Sequence, residues 1–175
     1  MTNNLIVQKT EDCVPNLLNF ISNSSEKMCM VLMSHSYEFL KSNLEQQGIK
    51  DAKIFFIDCI TRSLFLGVQD TPDCTFMHIQ MGMKDLLYEL SEKLKMQIGV
   101  KIFIFDSLSD LKQYWSQNPD SFLDFAKSLF PTLSKLGADS YFIIYEQDKE
   151  RCTQQHLAAF DGTYSSFSKD KESKR

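Results

Sequence analysis

The apolar run VKIFIFDSLSDL delivers Asp106 at its end, with Ser107 next to it and Asp110 three positions after Ser107. A carboxylate at the end of a buried strand can orient a cation at the mouth of a cleft. It can also cap the element that follows, and Ser107 with Asp110 has the spacing of a capping box. Asp58 repeats the arrangement at the end of FFID, followed by Thr61 and Arg62. There the expected role is to satisfy the neighbouring loop. His35 lies between Ser34 and Ser36, directly after the run MCMVLM. A turn imidazole can act as a base, but without a partner it is expected to be merely exposed. Ser34, Ser36, Ser107 and Ser109 are hydroxyl candidates, yet no GxSxG elbow accompanies them.

Other reactive types are scattered. Five cysteines (Cys13, Cys29, Cys59, Cys74 and Cys152) make an odd number, and no two stand at CxxC spacing. Cys29 and Cys59 sit in apolar runs as small core residues, and neither Cys59 nor Cys152 has a sequence cue for activation. His35, His78 and His156 form no HxxxH or HExxH pattern. No metal site, disulfide framework or cofactor is expected. Six glycines occur, the closest two 15 positions apart, which excludes GxGxxG and an intact GxxxxGK[ST] loop.

Short apolar runs position these residues. They cover 5–7, 28–33, 54–57, 76–79, 100–105 and 141–145, and most are continuous, as in strands buried on both faces of a parallel sheet. Helical spacing appears around 15–22, in 37–47 ending before Gly48, and in 83–96 with Met83, Leu86, Leu87, Leu90 and Leu94. A further helix is expected over 119–136, opened by Asn118, Pro119 and Asp120 and kinked or split at Pro131. A weaker helix follows over 150–159. Residues 160–167 are expected to form a strand or hairpin, with Asp161-Gly162 as the turn signal. The longest loop is expected at 61–75. This order implies a three-layer α/β domain over 1–165 and a flexible polar tail over 166–175. Ligands of such folds bind outside the carboxyl ends of the strands.

Composition narrows the function classes. With 175 residues, 43% of them hydrophobic, the chain can build a core. A net charge of -4 and a pI near 5.4 lack the footprint of a nucleic-acid binder. Lys169, Lys171, Lys174 and Arg175 make the tail locally basic. No 18-residue apolar stretch exists, and the polar start MTNNLIVQKTED is unlike a signal peptide, so a cytoplasmic protein without membrane contact is expected. Tyr114-Trp115, after the Asp106 segment, is a candidate partner surface or a packing pair.

Four stretches together resemble KaiC-like members of the RecA superfamily of ATPases, over roughly residues 4–165. MCMVLMSHSYEFLKSNLEQQGI is similar to their second strand and helix, and KIFFIDCITRS to the next strand. MGMKDLLYELSEKL and VKIFIFDSLSDL resemble their helix and Walker B strand. ADSYFIIYEQ and AAFDGTY resemble the sensor strand and terminal hairpin. The resemblance implies a RecA-like fold with a mostly parallel sheet, and makes Asp106 and Ser107 a vestigial Walker B-like pair. The departures fall on the segment LIVQKTEDCVPNLL. Gln8 and Cys13 stand where the loop glycines belong, and Val14 and Pro15 where Lys and Thr/Ser belong. Glu11 and Asp12 add negative charge, and Lys9 is the only nearby cation. Ser34, His35 and Ser36 replace the family's acidic residues after the second strand.

The expectation is thus a catalytically degenerate domain, not an enzyme, acting through a protein partner. A homodimer is compatible with the sequence; a ring is not implied once the nucleotide site is gone. The alternative is an enzyme or small-molecule or nucleotide sensor using Asp106, Asp58, His35 or Ser34 in the same cleft. A receiver-like domain, with Glu11-Asp12 and Asp58, conflicts with Asp106-Ser107 standing where a receiver needs lysine.

Overall fold

The structure, a computed structural model, describes residues 1–49, 53–79, 82–113 and 121–167. Seven strands make one sheet: β1 Asn3–Gln8, β2 Met28–Leu32, β3 Ile54–Asp58, β4 Cys74–Phe76, β5 Ile102–Asp106, β6 Asp139–Tyr145 and β7 Gly162–Tyr164. Their order is β4-β3-β2-β5-β6-β1-β7, and every described pairing is parallel. The helices are α1 Thr10–Ser22, α2 Tyr37–Gln46, α3 Thr61–Leu64, α4 Met83–Lys95, α5 Ser121–Leu136, α6 Glu146–Lys149 and α7 Gln154–Leu157. A 3₁₀ turn covers Leu108–Gln113.

The pleat divides each apolar run between two cores. Met28, Met30 and Leu32 pack with Ile6, Ile104 and Ile143 against α1 and α2, whose Cys13, Leu17, Leu18, Tyr37, Leu40 and Leu44 are buried. Cys29 and Val31 pack with Leu5, Phe103, Phe105 and Phe142 on the opposite face, under α4 and α5. Strands buried on both faces must be continuously apolar, which is why these runs lack alternation. The expected three-layer α/β architecture is therefore present.

Several local expectations change. The stretch read as a disrupted loop, 8–15, is largely helix: α1 begins at Thr10 and carries Pro15 inside it. Burial of Cys13 and Leu17 one turn apart, with Glu11 and Asp12 favourably placed in the first turn, outweighs the one backbone bond that Pro15 cannot donate. Pro131 does not split α5, which buries Phe125, Ala126, Leu129 and Leu133 on both sides of it. The loop expected at 61–75 contains α3 and the start of β4. Backbone bonds from Met77 to Asp58 and from Ile79 to Cys59 continue the pairing past β4.

Within the helix expected over 150–159 only the single turn α7 forms, with Thr153 and His156 as its capping box, and another short helix, α6, precedes that range. No hairpin turn forms at Asp161-Gly162. Gly162 opens β7, parallel to β1, while the Asp161 carboxylate accepts from the Asn3 backbone N–H at 2.7 Å. Phe167 packs on Phe20, ring centroids 4.7 Å apart. Tyr114-Trp115, the helix start at Asn118–Asp120 and the tail over 168–175 lie outside the described residues.

Candidate functional site at the carboxyl edge of the sheet

Register places two carboxylates side by side. Leu32 of β2 pairs with Asp58 on one side and with Asp106 on the other. Two strand spacings separate them by about 10 Å across the sheet. Both side chains are fully buried.

Asp58 is consumed by local structure. Its Oδ2 accepts from the Tyr37 backbone N–H (2.7 Å) and the Thr61 hydroxyl (2.6 Å), and its Oδ1 from the N–H groups of Ile60 and Thr61 (both 2.8 Å). It thereby satisfies the loop that follows it and caps α3, as expected, and it also caps the start of α2, which local sequence did not indicate. Ser36 adds a second cap on α2, accepting from Phe39 N–H at 3.3 Å.

Asp106 has distant partners. Its Oδ1 accepts from the Cys13 thiol of α1 at 3.3 Å, and its Oδ2 lies 2.8 Å from His35 Nδ1. His35 is 24% exposed and stacks on Phe39, centroids 5.2 Å apart. The histidine expected to lack a partner therefore has one. The hydrogen bond to Asp106 is the largest influence on the imidazole and raises its pKa against the opposing effect of burial; the charges of Asp106 and Asp110 add to the rise. The Cys13 thiol is pushed far up, first by burial and then by the Asp106 charge, so it is held protonated and is a donor, not a nucleophile.

The serines knit this edge together. Ser34 Oγ donates to Asp110 Oδ2 and accepts from the Ser107 backbone N–H at 2.8 Å. Tyr145 OH reaches Asp110 Oδ2 at 3.0 Å and Ser34 Oγ at 3.3 Å. Burial, foremost, moves the Tyr145 hydroxyl well above the ordinary tyrosine value. Ser107 is fully buried, donates to the Ile143 carbonyl at 3.2 Å and accepts from Ser109 N–H at 3.2 Å. Ser109 Oγ accepts from Tyr145 N–H at 2.9 Å. The two serines thus bind the end of β5 to β6.

Of the sequence candidates, the structure gathers Asp106, Ser107, Asp110, Ser34, His35 and Ser109, and leaves Asp58 apart. Cys13 and Tyr145 were not singled out from sequence as members of this cluster. No local signal marks them, because their role depends on β6 lying beside β5 and on α1 covering Asp106. The arrangement holds the His35 ring against Asp106, a contact that favours the protonated imidazole. It aligns no serine with the imidazole, since Ser34 faces Asp110. Among the described residues, no group of three or more His, Cys, Asp or Glu side chains could hold a metal ion. No described helix is long and apolar enough to cross a membrane.

No protein-family model and no curated protein matches the sequence. Among solved structures, the chain is similar to the KaiC-like protein PH0186 from the hyperthermophilic archaeon Pyrococcus horikoshii OT3, at 12% identity and a TM-score of 0.54. The match covers 82% of this chain and 61% of that one, so this chain spans about three fifths of that structure. With its all-parallel seven-stranded sheet and helices on both faces, the chain has the RecA-like fold of KaiC-like proteins.

Proposed function

We propose that this chain is a RecA-like domain without nucleotide hydrolysis that acts by binding a protein partner, in a regulatory or signalling role. One observation carries the reading: β1 ends at Gln8, α1 begins at Thr10, and Lys9 alone joins them. A phosphate cradle needs successive backbone N–H groups turned toward the ligand, and a one-residue connection supplies no such loop. Glu11 and Asp12 in the first turn of α1 repel a phosphate by about 1 kcal/mol or more at short range. Asp106, the vestigial Walker B-like carboxylate, has both oxygens engaged by Cys13 and His35.

Calorimetric titration with ATP and magnesium, together with a phosphate-release assay, tests this reading. No binding heat and no turnover are expected; micromolar binding with measurable turnover overturns it. Affinity capture with the tagged chain is expected to retain a discrete protein.

A second reading, an enzyme or small-molecule sensor at the same edge, is favoured by the contact of Asp106 with a partly exposed His35. A thermal-shift ligand screen separates the two. A ligand at 100 times its dissociation constant adds about 2.7 kcal/mol. A hit abolished by His35→Ala supports the second reading.

A further inference from the structure

At the opposite edge, where the strands begin, like charges stand in a row. Met28 pairs with Ile54 on one side and Ile102 on the other, which brings the preceding residues, Lys27, Lys53 and Lys101, abreast on three adjacent strands. Met28 N–H donates to the Lys53 carbonyl at 2.8 Å, and Lys101 N–H to the Lys27 carbonyl at 2.9 Å. Two strand spacings, about 10 Å, thus carry three ammonium groups' side chains. All three residues are exposed, and the ion pairs of the described residues include none of them. Like charges abreast on neighbouring strands destabilise a sheet, so an anionic surface laid against them relieves a cost. We propose that this edge rests on an anionic phospholipid bilayer, with Met96 and Ile98 as its apolar anchors. Such a contact is additional to the proposed protein partner and independent of it. It differs from the absence of membrane contact expected from the sequence.

The anchor turn is the second observation. α4 ends at Lys95, and beyond it Met96 is 71% and Ile98 82% exposed. Lys27 Nζ donates to the Ile98 carbonyl at 2.9 Å, which fixes the turn beside the lysine row. Gly99, at a φ of 78°, directs the chain back toward β5. Lys93 and Lys95 occupy the last turn of α4. Apolar side chains so exposed offer no concave wall to a peptide. They can enter the acyl boundary of a bilayer while the flanking lysines stay among the headgroups. No described helix could cross the membrane, so the contact is one of lying on its surface.

Charge type and distribution favour this occupant. Among the described residues the bases at this edge are all lysines, whereas Arg62 and Arg151 lie at the opposite edge, after β3 and β6. Lysine is a compact point charge suited to a diffuse anionic surface, while discrete carboxylates at protein interfaces favour the arginine fork. Of the nearby acids, Glu92 is paired with Lys95, Asp139 accepts from Thr2 N–H at 2.7 Å, and Glu26 stands next to Lys27 in the chain. Glu11, Asp12 and Asp110 lie at the opposite edge, so the molecule's own field turns the lysines toward an anionic surface although the net charge is -4. Phe167 and Lys101 line the same groove at this edge, and the eight residues after Phe167 hold four bases against two acids.

The test is co-sedimentation of the whole chain with vesicles of phosphatidylglycerol or of phosphatidylcholine. Capture is expected on the first alone and should fall as salt is raised. Lys53→Gln combined with Lys101→Gln should weaken capture about 25-fold, about five-fold for each lysine. Ile98→Ser should weaken it about five-fold through loss of apolar contact. These positions are exposed, so the thermal midpoints should stay at the native value. Ile98→Trp should add a blue shift of emission on phosphatidylglycerol vesicles that the native chain lacks. Leu66→Ser, at the exposed apolar turn of the opposite edge, should leave capture unchanged. Five results would overturn the proposal: no capture on phosphatidylglycerol at low salt, equal capture on phosphatidylcholine, undiminished capture of the double lysine variant, loss of capture with Leu66→Ser, or preferential binding of duplex DNA through the same lysines. None of these outcomes involves ATP or a partner protein, so failure here leaves the proposed protein-binding role standing.

Discussion

Asp58 and Asp106 flank the same residue, Leu32, at the same edge of the sheet, and both are fully buried. Their surroundings differ in kind. Asp58 receives three backbone N–H groups and one hydroxyl, with donors at most 21 positions away. Asp106 receives a thiol and an imidazole from 93 and 71 positions away. The first arrangement is an assembly of helix caps with no titrating partner. The second joins α1, β5 and the turn after β2 through an imidazole whose pKa is raised from its ordinary value. Equal burial and equal position in the fold therefore do not imply equal roles; the donors decide.

The largest effect expected from breaking this comparison is at Asp58. Asp58→Ala leaves three N–H groups unpaired, that of Tyr37 buried and those of Ile60 and Thr61 part-buried, and is expected to cost about 3 kcal/mol. Urea denaturation reads this directly, and a loss below about 1 kcal/mol would remove the capping role.

Asp106→Asn is expected to cost less, about 1.5–3 kcal/mol at acidic pH, because one charge-assisted bond is lost while Oδ1 can still accept from Cys13. The cost should also depend on pH. His35 holds its proton more tightly in the folded chain than at its ordinary value of 6.5. Its contribution is therefore full below 6.5 and fades as pH rises through the raised folded value. Stability curves of the native chain and Asp106→Asn should converge above that window; a gap independent of pH would mean that the pair is not ionic.

Tyr145→Phe removes the hydroxyl shared with Asp110 and Ser34 and should cost about 1 kcal/mol, read from the thermal midpoint. The smallest expected effect is none. The Cys13 thiol, buried and held protonated, should resist a thiol reagent in the native chain and react only as the chain unfolds. Fast native labelling would show that α1 does not seal Asp106.

The same contrast explains what was legible beforehand. The capping of Asp58 could be anticipated because Ile60 and Thr61 follow it directly in the chain. The runs behind β2, β5 and β6 were readable because strands covered on both faces must be apolar throughout. The start of α1 was not readable. Propensity at Pro15 argues against a helix there, and only the burial of Cys13 and Leu17 under the sheet overrides it. His35 looked solitary for a similar reason. Its partner is brought to it by the pairing of β2 with β5, which local sequence does not state.

Taken alone, the amino-acid sequence determined the three-layer α/β class, the ends of strands on which carboxylates stand, and the absence of glycine from residues 3–22. Periodicity, capping and glycine content are local properties, and neighbours in the chain express them. Only the tertiary structure decided that Asp58 is a cap of two helices and that Asp106 meets Cys13 and His35. These depend on strand order and on which helix covers which face. Both are set by long-range burial, which couples residues that the chain keeps far apart.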